Sequence, residues 1–296
     1  MNYNITHEGK DTAKPDHILE VDAISVKYGI RRSNEAVKSI SFTISRQGTC
    51  VALVGPNGAG KTTTIKAVLG LLKTTSGSIK KQGRFAYLPE NASIYQYLTC
   101  SENVSFYLKF SGGSGNPLEF LDLVGMTQMK DTSGYKLSKG QKRRLNLAMI
   151  LSSGANVICL DEPFEGLDPL SSFELAQLIN NLKKTGKSFL VSSHALDLVD
   201  NIADEIIFMS AGKASSDIRK QIQGALIIEI TSPMELAVDV CKANNFDCIV
   251  RSTSELLVKT ERTPEEVLRK LIEAGVDVKY SRRQNLQEAF RDEFGS

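Results

Sequence analysis

Residues 55–62 read Gly55-Pro56-Asn57-Gly58-Ala59-Gly60-Lys61-Thr62, a full G-x-x-x-x-G-K-[ST] arrangement. Glycines at these spacings let backbone N–H groups close on phosphate oxygens. Lys61 then reaches the β- and γ-phosphates, and the Thr62 hydroxyl suits Mg²⁺. Two further segments carry chemistry that fits this one. Asp161-Glu162 closes the apolar run Val157-Ile158-Cys159-Leu160. A carboxylate at the end of a buried strand beside a phosphate loop is the expected partner of Mg²⁺, and a second one can polarise water. His194 follows Val191-Ser192-Ser193 and is the only histidine after residue 17.

These residues need rigid elements beneath them. Cys50–Val54, ahead of the loop, is a short apolar, β-branched run that reads as a buried strand. Behind it, Ile65, Val68, Leu69 and Leu72 recur at helical spacing. Strand, glycine loop and helix N-terminus aim free N–H groups and a helix dipole at one point. Ile18–Val26 and Ala36–Ile44 alternate apolar and polar residues, as paired antiparallel strands with one buried face do. Ser78-Ile79, Arg84–Leu88, Val157–Leu160, Ser188–Ser192 and Glu205–Met209 read as further strands. Residues 91–153 read as mainly helical, broken by a turn-rich linker over Ser111–Pro117. Strands alternating with helices predict a mostly parallel α/β sheet, whose ligands gather at the carboxyl ends of the strands.

A polar connector over Ser210–Gln223 leads to a second pattern. Strand Leu226–Thr231, helix Pro233–Ala243, strands Asp247–Arg251 and Glu255–Thr260, helix Pro264–Ala274 and strand Val276–Ser281 follow in order β-α-β-β-α-β. That order predicts a ferredoxin-like split fold. In the second helix, Thr263 is the expected cap, Pro264 the first residue, Glu266 the closing half of a capping box and Gly275 the stop. No site-like cluster occurs in this stretch, so a structural or protein-contact role is expected there.

The chain has 296 residues, 41% of them hydrophobic and 24% charged, enough for one large domain and a small one. A net charge of +2 without a dense Lys/Arg run gives no sign of a nucleic-acid partner. Five scattered cysteines, odd in number and without a C-x-x-C, fit free thiols in a reducing compartment. Residues 1–17 are polar and lack an apolar core, so a flexible lead-in is expected rather than a signal peptide. No stretch approaches the 18 apolar residues of a membrane helix. A soluble chain is expected, with any membrane role carried by a partner.

Leu137-Ser138-Lys139-Gly140-Gln141 resembles the L-S-G-G-Q signature of ABC-type ATPases, and Gly166-Leu167-Asp168-Pro169 resembles their D-loop. With the phosphate loop, Asp161-Glu162 and His194 in the family's order, residues 18–221 resemble an ABC transporter nucleotide-binding subunit. The tail, ending in Asn285-Leu-Gln-Glu-Ala-Phe290, resembles that of single-domain ATPases of drug, lipid and antibiotic export. The resemblance implies a P-loop NTPase core with an antiparallel β subdomain and a helical subdomain over about 91–153. It leaves 225–296 as an accessory α+β domain.

It also implies roles. Tyr28 would stack on adenine, although a tyrosine merely ending a strand is an equal reading. Gly55, Pro56, Asn57, Gly58, Ala59, Gly60, Lys61, Thr62 and Thr63 would wrap the phosphates of ATP. Asp161 would hold Mg²⁺ with Thr62, Glu162 would act as general base, and His194 would contact the γ-phosphate. Ser138 and Gly140 would serve the nucleotide of a second ATPase subunit. Two departures from the family pattern stand out. Glu90 replaces the usual glutamine that meets Mg²⁺, and Lys139 replaces the first signature glycine. Residues 91–135 would dock separate membrane permease subunits, with Ile94, Tyr95, Tyr97 and Leu98 fitting either that groove or a core. The implied activity is ATP hydrolysis driving an exporter from the inner face of the cell membrane. The alternative is a non-transport ABC-type ATPase that drives or regulates a protein complex.

Overall fold

The computed structural model describes residues 17–29, 34–215 and 224–285, together with 288, 289 and 292. Its centre is a six-stranded sheet in the order β5-β6-β7-β3-β8-β9. The strands are β3 (Cys50–Val54), β5 (Phe85–Leu88), β6 (Val157–Asp161), β7 (Ser188–Ser193), β8 (Glu205–Ser210) and β9 (Lys213–Ser215). The first five run parallel, and β9 closes the edge antiparallel to β8. Every residue of β3, β6 and β7 is buried. Both faces are covered, which is why these strands are continuously apolar rather than alternating.

The two faces of β3 anchor two cores. Cys50, Ala52 and Val54 join Leu160, Phe189, Val191 and Phe208 under α4 (Lys139–Ser152) and α5 (Pro169–Lys184). Val51 and Leu53 join Cys159, Leu190 and Met209 on the other face. There they meet Ile65 and Val68 of α1 (Lys61–Leu69) and the apolar side of a three-stranded antiparallel sheet. That sheet has β1 (Leu19–Tyr28) between β2 (Asn34–Ile44) and β4 (Ser76–Lys81). Leu19, Val21, Ile24 and Val26 of β1 point inward, the alternation shifting by one residue at the irregularity around Ala23.

Three details differ from the sequence reading. Ser111 is the last residue of α2 (Cys100–Ser111), and Asn116 already caps α3 (Pro117–Leu123), which shortens the expected linker. The expected connector over Ser210–Gln223 contributes β9 at its start, and 216–223 lie outside the described residues. Residues 91–98 are turn and irregular backbone rather than helix, with Ile94 in the core, Ala92 packed against it, and Tyr95 and Tyr97 exposed.

A short helix, α6 (Leu196–Asp200), lies between β7 and β8, and beyond the connector β10 (Ala225–Ile230), α7 (Met234–Ala243), β11 (Asp247–Val250), β12 (Glu255–Lys259), α8 (Pro264–Glu273) and β13 (Val278–Arg283) follow. Their antiparallel sheet has the order β11-β12-β10-β13, which is the split β-α-β arrangement. Ile228, Val258, Val267 and Leu271 lie in its core. Thr263 caps α8 by accepting from the Glu266 N–H. The expected capping box does not close, because the Glu266 carboxylate pairs with Arg262 one turn back. Among the described residues no helix is long and apolar enough to cross a membrane.

None of the five cysteines forms a disulfide, and only Cys248 is not fully buried. Burial pushes the Cys159 thiol up to about 12. Burial, aided by the neighbouring Cys248, does the same to Cys241. Such thiols stay protonated and unreactive at neutral pH. Titration of the native protein with a disulfide reagent at pH 8 is therefore expected to label one cysteine, Cys248, rapidly, and all five after denaturation. Two or more fast native thiols would contradict this packing.

Candidate active site

Asp161 and Glu162 stand at the carboxyl end of β6, flanked in the sheet by β5 and β7, with β3 next beyond β7. Their neighbours therefore come from four different segments. The loop after β3 is shaped by glycine. A Cβ on Gly55 would stand 2.0 Å from the Met209 carbonyl oxygen, and Gly60 holds a φ of +102° with its Cβ direction 2.4 Å from Ala36 O. Only glycine lets the backbone pass there. Pro56, Asn57 and Gly58 are exposed at the loop's tip, while Ala59 is buried. Helix α1 opens at Lys61 without a side-chain cap. Its first N–H groups have no partner inside the helix and face the mouth of the loop, an arrangement that attracts anions.

Lys61 is buried, with Nζ donating to Gly55 O at 2.7 Å and Pro56 O at 3.2 Å. The same ammonium lies 3.3 Å from Glu162 Oε1. Asp161 is almost enclosed and is held by three hydroxyls. Thr62 Oγ1 donates to its Oδ1 at 2.8 Å, Ser192 Oγ to the same oxygen at 2.5 Å, and Tyr87 OH to Oδ2 at 2.9 Å. Burial and the Asp161 charge push the Tyr87 phenol well above its ordinary value, so it remains a proton donor. The other Glu162 oxygen, Oε2, meets His194 Nδ1 at 3.0 Å and accepts from the His194 N–H at 3.3 Å. His194 Nε2 lies 3.3 Å from Glu165. A cavity of about 390 Å³ opens beside Glu162, Glu165 and His194.

The sequence-derived residues thus fall into three groups. Lys61, Thr62, Asp161, Glu162 and His194 are brought together. Tyr28 ends β1 half-exposed, with its hydroxyl 3.2 Å from Thr63 Oγ1 in the first turn of α1. Ser138, Gly140 and Glu90 do not join that cluster. Ser138 caps α4 in a closed box with Gln141. A Cβ on Gly140 would meet Ser171 Oγ at 2.7 Å, so this glycine also lets α4 pack on the start of α5. Lys139 reaches across to the Gly166 turn. Asp168 caps α5 and is held below the usual carboxylate range by the Ser171 hydroxyl and N–H. Glu90 is exposed on the turn after β5 and is not among the described hydrogen-bond partners of Asp161 or Thr62.

Three residues escaped the sequence reading. Ser192 and Tyr87 grip Asp161. Arg143 of α4 is buried and donates to the carbonyls of Glu162 (3.0 Å) and Pro89 (3.3 Å). Burial draws Arg143 below the ordinary guanidinium value, with Glu90 and Asp161 opposing that pull. The available signals were slight: a serine and a tyrosine inside strands that end at the site, and an arginine on the otherwise apolar side of α4.

The sequence model of the ABC transporter family matches residues 37–165. YxlF, an ABC transporter ATP-binding protein of Bacillus subtilis strain 168, is 36% identical over 212 residues, or 67% of this chain and 70% of that one. SrtF of Streptococcus pyogenes, a lantibiotic transport ATP-binding protein, is 32% identical over 66% of this chain and 88% of its own. Among solved structures, CbiO1 of Clostridium perfringens, part of the ABC transporter complex CbiONQ, superposes with a TM-score of 0.61 at 25% identity. That match covers 69% of this chain and 90% of CbiO1. Phosphate loop, carboxylate pair and histidine share one sheet edge, on a chain related in this way. The chain belongs to the ATP-binding proteins of ABC transporters.

Proposed function

We propose that this ATPase subunit hydrolyses ATP with Glu162 as general base and drives an exporter through separate membrane permease subunits. The observation that carries the reading is the placement of the Glu162 carboxylate, one oxygen 3.3 Å from Lys61 and the other 3.0 Å from His194. Lys61 binds the β- and γ-phosphates, and His194 holds the γ-phosphate together with the attacking water. Glu162 takes the proton as the water oxygen bonds to the γ-phosphorus and the bond to the bridging oxygen breaks. ADP and inorganic phosphate leave. Little covalent chemistry falls to the protein, so positioning and charge neutralisation suffice.

The hydroxyl of Thr62 and the carboxylate of Asp161, both hard oxygen donors, suit Mg²⁺. When bound, the ion would neutralise charge developing on the phosphate oxygens. Glu90 would add a further oxygen ligand from the turn after β5. Tyr28 stacks on adenine, and its hydroxyl bond to Thr63 holds the ring against the first turn of α1.

In this reading residues 18–221 are the ATPase domain and 225–296 an accessory protein-contact domain. Ser138 and Gly140 complete the site of a second ATPase subunit across a head-to-tail dimer. The exposed Ser138 cap and the positive end of the α4 dipole face outward, ready for a γ-phosphate supplied by that subunit. Residues 91–135 dock the permease, with the exposed Tyr95, Tyr97 and Tyr135 as the contact surface. The subunit then works on the cytoplasmic face of the membrane. The related SrtF is a lantibiotic transport ATP-binding protein, which supports transport as the work this cycle drives.

Replacing Glu162 by Gln should cut ATP turnover on the order of 10²–10⁴-fold while leaving ATP binding intact. The variant should also run as a dimer on gel filtration with ATP and Mg²⁺, since trapped triphosphate holds the interface. Full turnover in that variant would sink the assignment of the base. Tyr28→Ala should weaken ATP affinity by about 1–3 kcal/mol, the usual value of one base–aromatic stack. Isothermal titration of ATP against Tyr28→Phe separates ring from hydroxyl, and an unchanged affinity in the alanine variant would remove Tyr28 from the site.

A further inference from the structure

Glu162 has a φ of +44°, a left-handed conformation that residues with a side chain rarely adopt. Among the described residues, Ala23, Ser39, Ala211 and Asn245 share a positive φ, at strand irregularities or turns. Glu162 differs in being buried at the end of a central strand, at the point of chemistry. Such backbone persists only where its surroundings over-determine it. Here both neighbouring peptides are pinned. The Glu162 N–H donates to Ser192 O and to Ser192 Oγ, each at 3.1 Å. The Glu162 carbonyl accepts from the Glu165 N–H at 3.2 Å and, as its one described side-chain donor, from the Arg143 guanidinium at 3.0 Å, whose other arm holds Pro89 O at 3.3 Å.

We propose that Arg143 is a positioning residue that holds the Glu162 peptide in its left-handed state. It thereby aims the Glu162 carboxylate between Lys61 and His194. Arg143 sits on α4, the helix that Ser138 opens, and also grips the Pro89 carbonyl beside Glu90. A displacement of either α4 or the Pro89–Glu90 turn is therefore transmitted to the base through one planar side chain. A lysine cannot replace it, because a single ammonium on a flexible stem lacks the rigid fork that spans two carbonyls. The inference rests on Glu162 acting as the base.

The test is a double-mutant cycle on the full chain, measuring ATP turnover and, separately, ATP affinity. Arg143→Ala and Arg143→Lys should each lower kcat on the order of 10²-fold, the cost of misplacing a reacting group by about an ångström, with ATP affinity unchanged. Millimolar guanidinium should restore part of the turnover of Arg143→Ala. In a Glu162→Gln background Arg143→Ala should change the residual rate less than about twofold, because the group it positions is gone. Unchanged kcat, equal losses in kcat and affinity, full activity in Arg143→Lys, or the same fold-loss in both backgrounds would overturn the proposal. Full turnover in Glu162→Gln alone would instead sink the assignment of the base, and the cycle keeps the two failures apart.

Discussion

Two adjacent carboxylates, Asp161 and Glu162, are buried at the end of one strand, and the site is built to make that tolerable. Buried charge is costly unless it is paired and hydrogen-bonded, and two like charges side by side raise the cost. Asp161 is compensated by hydroxyls from α1, β5 and β7, and Glu162 by Lys61 and by His194 just after β7. No single element supplies enough partners. The sheet order that sets β5, β6, β7 and β3 side by side is thus a requirement of the carboxylate pair as much as a result of packing.

That order in turn rests on two-sided burial. The alternate residues of β3 feed separate cores, one under α4 and α5 and one against α1 and the antiparallel sheet. A register slip in β3 would exchange the two sets and move the phosphate loop off its strand end. The loop's glycines add a second fit, since Gly55 and Gly60 pass against the Met209 and Ala36 carbonyls with no room for a Cβ. Phosphate chemistry, sheet order and core packing therefore constrain one another at the carboxyl edge of the sheet.

Much of this was legible in the residues. Glycine spacing, a buried apolar run and a following helical period mark the phosphate loop, because each rests on local chemistry. The same holds for the strand ending in Asp161-Glu162 and for the split order of the C-terminal unit. What escaped is non-local. Ser192 and Tyr87 look like ordinary strand residues until the parallel register sets Tyr87 opposite Cys159 and Ser192 opposite Asp161. Arg143 resembles a solvated helix charge, but the packing of α4 on β5 buries it. The Glu266 capping box failed for a local reason, a competing Arg262 immediately before the cap. The left-handed backbone of Glu162 has no composition signal at all, since glutamate is a poor choice for that conformation and only its surroundings impose it.

In the proposed cycle one nucleotide site is assembled on the carboxylate pair. A crystal structure of the full chain with a non-hydrolysable ATP analogue and Mg²⁺ tests it most directly. Lys61 should then be withdrawn from the Gly55 and Pro56 carbonyls onto the γ-phosphate, with His194 against the same phosphate. A Glu162 Oε should lie within hydrogen-bond reach of a water in line with the γ-phosphorus. A nucleotide bound elsewhere, or Lys61 still on those carbonyls with Glu162 turned away from the phosphate, would contradict it.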